Sequence, residues 1–113
     1  MKATIDAKKY EGKRISILGC GKSGFESAMA LQKCGASVFV SEISQIKDEY
    51  KKILELNGIE FEENGHSGKV LEGEILVLSP GVKPDLPLLQ DAERLGIEVV
   101  GELEIGYQLT AGE

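Results

Sequence analysis

The stretch Arg14-Ile15-Ser16-Ile17-Leu18-Gly19-Cys20-Gly21-Lys22-Ser23-Gly24 (RISILGCGKSG) decides the fold. Its first five residues are rich in β-branched and apolar types, follow the turn-like Glu11-Gly12-Lys13 and stop at glycine, which predicts a buried strand over 14–18. Beyond it Gly24, Ala28, Leu31 and Gly35 recur at helical spacing with Phe25 and Met29 alongside, predicting a helix from Lys22 to Cys34 that Gly35 closes. A G-x-G-x-x-G pattern means little alone, but between a strand and a helix each glycine has a task. Gly19 permits the tight turn, Gly21 lets a phosphate approach the main chain, and Gly24 lets helix and strand pack closely. The unpaired amides and dipole of the helix start then form an anion site, to which Ser23 can add a hydroxyl. By position alone Lys22 reads as a surface lysine.

Outward from this segment the pattern repeats. Ser37 to Ser41 reads as a second strand; Ile46, Tyr50, Ile53 and Leu54 mark the inner face of a second helix that Asn57-Gly58 ends. Ile59 to Glu62 alternates like a short edge strand, and Asn64 to Gly68 reads as loop, with no helix assigned before the apolar run Ile75-Leu76-Val77-Leu78. That run breaks sharply at Ser79-Pro80-Gly81, the kind of strand end where open α/β sheets bind ligands. Asp85 can cap a third helix with Pro87 in its first turn, an apolar stripe of Leu88, Ala92 and Leu95, and Gly96 at its end. Ile97 to Val100 is the fifth strand. Strands alternating with crossovers predict an α/β, Rossmann-like, doubly wound parallel five-stranded sheet with helices on both faces, one domain over 1–113. Glu102 to Leu109 reads as a helix cut short, so the chain reads as a fragment of a longer protein.

Composition narrows the partners. With 113 residues, 42% of them hydrophobic and 28% charged, the chain fits a single globular domain, too small for two lobes around a catalytic cleft. No apolar run suits a bilayer or a secretory signal, which points to the cytoplasm and to no membrane partner. Thirteen basic against nineteen acidic residues give a net charge of −6 without a basic cluster, disfavouring nucleic acid. Main-chain amides can still attract a diphosphate on an acidic protein. Cys20 and Cys34, about 20 Å apart if a helix separates them, fit neither a metal site nor a disulfide.

Several apparent motifs lead nowhere. Gly21-Lys22-Ser23 imitates the end of a P-loop, but Ser16 stands where its first glycine belongs, and Ser79 rather than an acid follows Leu78 to hold magnesium. Glu42 ends the second strand about 20 residues beyond the glycine loop, where a dinucleotide fold puts its ribose carboxylate. It equally suits a solvated acid opening a loop, so an NAD-binding regulatory module remains an alternative. His66, the single histidine, has no adjacent nucleophile and reads as a surface loop residue without a role. Glu102 and Glu104 do not share a helix face and read as structural.

Taken in order, ILGCGKSG (17–24), Leu78-Ser79-Pro80-Gly81-Val82 and IEVVGELEI (97–105) resemble the amino-terminal domain of the Mur ligases, with the D-glutamate-adding type the best match. The resemblance runs over nearly the whole chain. It implies a domain that holds the UDP end of UDP-N-acetylmuramoyl-L-alanine, with Lys22 and Ser23 at the diphosphate and Glu42, Ile43 and Ser44 lining the uracil and ribose pocket. Gly19, Gly21, Gly24, Ser79 and Gly81 complete that substrate-binding set, Gly81 facing the sugar. It further implies a monomeric three-domain ligase of peptidoglycan precursors. The complete enzyme uses ATP and magnesium to make an acyl phosphate, from which the amine of D-glutamate displaces phosphate. This domain alone is expected to be inactive and to need no cofactor, its contribution being to anchor the remote nucleotide. Two details differ within the family: Ile43-Ser44 replaces a frequent Thr-Arg, and the loop lacks the longer Gly-Gly-x-Gly form of the alanine-adding enzymes.

Overall fold

The structure, a computed structural model, describes residues 9–83 and 86–101. The apolar run that opens the sequence argument becomes β1 (Arg14–Leu18), the middle strand of an all-parallel sheet. β2 (Ser37–Ser41) and then β3 (Glu60–Glu62) lie on one side, β4 (Ile75–Leu78) and β5 (Glu98–Gly101) on the other, giving the order β3-β2-β1-β4-β5. A strand walled by neighbours and covered on both faces favours apolar side chains; Ile15, Ile17 and Leu18 are at most 1% exposed, and Ser16 is the buried polar exception. In register, Leu18 stands opposite both Ser41 and Leu78, so the chain leaves β1, β2 and β4 at the same level.

Alternation along β1 divides the core. Ile15 and Ile17 face a layer made by α1 (Lys22–Lys33) and α2 (Asp48–Leu56), where Ala28, Leu31 and Leu54 are fully buried and Phe25 stacks on Tyr50 with ring centroids 4.3 Å apart. Leu18 faces the opposite layer, with Val70 and Ala92. Helices on both faces make the sheet doubly wound, as expected.

Element ends depart modestly from the sequence reading. α1 stops at Lys33, with Cys34 as its cap, before Gly35 turns the chain at φ +91°. Ile53 is 37% exposed, because Tyr50 and Leu54, four apart, define the buried stripe of α2 and leave Ile53 on its flank. Between β3 and β4, where no helix was assigned, Gly68–Glu72 forms a 3₁₀ helix. Ser67 caps it by accepting from the Lys69 amide, and buried Ser16 on β1 donates its hydroxyl to the Val70 carbonyl at 2.8 Å. Five residues carry too little periodicity to be recognised in advance. α3 (Pro87–Arg94) begins at its proline, but Leu95 lies past its last turn and is 64% exposed, outside the predicted stripe. Asp85 and the segment 102–109 lie outside the described residues. Neither Cys20 nor Cys34 forms a disulfide among the described residues, and no helix among them is long and apolar enough to cross a membrane.

Candidate functional site

Because β2 and β4 flank β1 and their connections leave in opposite directions, the chain parts at the carboxyl ends of β1 and β4, the place where open α/β sheets form a crevice. A cleft of about 630 Å³ lies there, of the size that takes a small molecule. Its floor is the glycine loop. Gly19 adopts φ +103°, and a Cβ at that position would lie 2.6 Å from Ser79 Oγ, so β4's outgoing turn and the loop fit only without a side chain there. Gly24 is held as tightly, since a Cβ would sit 2.1 Å from the Gly19 carbonyl oxygen. Gly21 is different: a Cβ there meets nothing within 4 Å, because the position faces open space.

The amides sort by use. Gly19 N–H donates to the Ser41 carbonyl at 2.8 Å, and Cys20 N–H donates to Glu42 Oε1 at 2.6 Å. The first helical bond is Phe25 N–H to the Gly21 carbonyl, and no side chain caps α1. The amides of Gly21 to Gly24 therefore have no partner among the described residues, and the first turn holds no acid to repel an anion. Glu42 proves to be a brace: Oε1 takes the Cys20 amide and Oε2 takes the Ser44 amide at 2.8 Å, locking the end of β2 to the loop.

Gly19, Gly21, Ser23, Glu42, Ile43, Ser79 and Gly81 of the expected set come together on the cleft wall. Lys22, Gly24 and Ser44 do not: Lys22 points out as an exposed residue, Gly24 is buried beneath the loop, and Ser44 contributes its amide to Glu42. Ile43 is 61% exposed, an apolar surface offered at the cleft.

Two contributors were missed. Lys83 lies on the wall past Gly81, a cation at the mouth. His66 is half-buried on the wall rather than a bystander on the surface, with Nδ1 2.7 Å from Ser41 Oγ. The available signal was positional, since Gly65-His66-Ser67 follows β3 and loops after parallel strands gather at one end of the sheet. Ser41 Oγ also donates to Glu62 Oε2 at 2.7 Å, and the Ser67 amide donates to the same oxygen at 2.7 Å.

Burial lowers the His66 pKa below its ordinary 6.5, against the opposing pull of Glu62 and Glu42. Burial pushes the Glu62 carboxyl up, but the bonds from Ser41 and Ser67 and the nearby His66 outweigh it and hold it below the ordinary value. The fold thus favours a neutral ring that the unfolded chain protonates more readily. The resulting stability is complete above pH 6.5 and is lost as pH falls from there through the lower folded value. Thermal melts of the wild type are expected to lose more between pH 7.5 and 5.5 than those of His66→Gln; equal losses would contradict this.

Sheet order, glycine loop and crevice define the class: a Rossmann-like α/β domain. Residues 14–88 match the family model of the MurD N-terminal domain, and the chain belongs to that family. The UDP-N-acetylmuramoylalanine–D-glutamate ligase of Chlorobium phaeobacteroides is 38% identical over 100 residues, 88% of this chain and 22% of that enzyme. Its counterpart in Chlorobaculum parvum is 40% identical over 101 residues, 89% and 22% respectively. The chain spans about a fifth of the length of these curated relatives. Among solved structures, a pseudomurein peptide ligase type C from Methanothermus fervidus superimposes with a TM-score of 0.75 at 22% identity, covering 90% of this chain and 21% of that one. Shikimate dehydrogenase from Aquifex aeolicus shares the fold with a TM-score of 0.58 at 19% identity, over 96% and 52%. The resemblance to the D-glutamate-adding Mur ligases is therefore borne out by sequence.

Proposed function

We propose that this domain binds the nucleotide end of UDP-N-acetylmuramoyl-L-alanine, and that it is the amino-terminal part of a three-domain ligase joining D-glutamate to that substrate. The observation that carries the reading is the row of unpartnered amides from Gly21 to Gly24 beneath an open cleft in a member of this family. Those amides and the α1 dipole hold the diphosphate, with the Ser23 hydroxyl beside them. Ile43 supplies an apolar surface for the base, and Ser79 and Gly81 border the sugar. Lys83 adds positive charge at the mouth.

The residues here do not fit ATP with magnesium. The carboxyl end of β4 offers Ser79 and Pro80 instead of a carboxylate, and Ser16 lies inside β1 where a P-loop needs glycine. ATP and magnesium belong to the remainder of the complete enzyme. This domain spends nucleotide binding energy on holding the far end of the substrate in place. The proposed enzyme works as a monomer in the cytoplasm.

Calorimetric titration tests the reading against the NAD alternative. Saturable binding of UDP-N-acetylmuramoyl-L-alanine, at least about tenfold tighter than NAD, is expected; tighter binding of NAD would replace this function with a dinucleotide-binding one.

A further inference from the structure

From the cleft wall, His66 leads into a polar relay formed with Ser41 and Glu62 behind it. Ser41 Oγ lies 2.7 Å from Glu62 Oε2 and 2.7 Å from His66 Nδ1, but a hydroxyl has one proton to give. An ionised carboxylate can only accept, so the Ser41 proton goes to Glu62, which also accepts the Ser67 amide. The Ser41 oxygen must then accept from His66, which places the ring proton on Nδ1. A neutral imidazole has one N–H, so Nε2 carries a lone pair, and it has no partner among the described residues. Glu42, the other acceptor on this side of the cleft, already takes an amide on each oxygen.

We infer that His66 Nε2 is the acceptor for a hydrogen-bond donor of the bound nucleoside, with its tautomer set by the Ser41–Glu62 pair. This rests on the nucleotide reading of the cleft and adds to it a specificity-determining residue. A nucleoside offers two kinds of donor here, the imide N–H of the base and the ribose hydroxyls, and both satisfy the same geometry.

The chain has one histidine, so its imidazole nitrogens can be observed without ambiguity by long-range ¹⁵N–¹H correlation. At pH 7.5 the ligand-free wild type is expected to carry the proton on Nδ1, and Ser41→Ala to move it to Nε2; a proton on Nε2 in the wild type, or no change in Ser41→Ala, would overturn the relay. His66→Phe is expected to weaken UDP binding about tenfold, the effect of one lost hydrogen bond. Either N3-methyl-UDP or 2′-deoxy-UDP should show the same loss with the wild type and no further loss with His66→Phe, which identifies the donor. If UDP binds wild type and variant equally, the inference falls while the nucleotide reading stands. If UDP does not bind the wild type, the nucleotide reading falls and takes the assigned ligand with it.

Discussion

Replacing Gly21 with valine is expected to weaken UDP binding on the order of a hundredfold or more while leaving the melting temperature within about 3 °C of the wild type. The separation follows from geometry. Gly21 has φ −80° and ψ −164°, an extended conformation that valine adopts readily, and a Cβ there meets no atom within 4 Å. The added carbons enter the empty space beside the unpartnered amides, where a diphosphate must come within hydrogen-bond distance of the main chain. Calorimetry with UDP and a thermal melt check the two halves. Undiminished affinity would place the phosphates elsewhere, and a collapsed melt would show that Gly21 serves the fold.

Gly24→Ala should do the reverse, costing about 3 kcal/mol of stability and impairing binding as a consequence. Its Cβ would lie 2.1 Å from the Gly19 carbonyl oxygen, 3.0 Å from the Gly19 carbonyl carbon and 3.1 Å from Ser79 Oγ. Backbone cannot swing aside as a side chain can, so α1 must back away from the end of β1. The loop that Glu42 braces through the Cys20 amide then shifts with it. Denaturant unfolding measures the loss through a lower midpoint; a midpoint equal to the wild type would mean that loop and helix separate more easily than the packing suggests. Two glycines three residues apart thus produce opposite signatures, one on affinity and one on stability.

Much of the architecture was legible because period and punctuation agreed. The run 14–18 between a turn and a glycine, and the spacing of Gly24, Ala28 and Leu31, leave β1 and α1 little alternative. The 3₁₀ helix was not legible, for what defines it is a tertiary bond: the Ser16 hydroxyl reaching the Val70 carbonyl from 54 positions away. Leu95 misled because apolar spacing continues one residue beyond the last turn of α3. In the cleft, the three glycines were readable from strand–loop–helix context, and the family from three ordered motifs. Glu42 was placed at the right strand end, yet its bracing of the glycine loop depends on how the ends of β1 and β2 lie side by side. His66 was passed over because its partners Ser41 and Glu62 belong to different strands and meet it only in three dimensions.

Everything proposed for this domain depends on the open amides at the start of α1 holding a diphosphate. Amide ¹H–¹⁵N spectra during titration with UDP-N-acetylmuramoyl-L-alanine measure this directly. The largest downfield proton shifts are expected at Gly21 to Gly24, with smaller changes at Ile43 and Gly81. Saturating ligand that leaves those four amides unmoved would contradict the account.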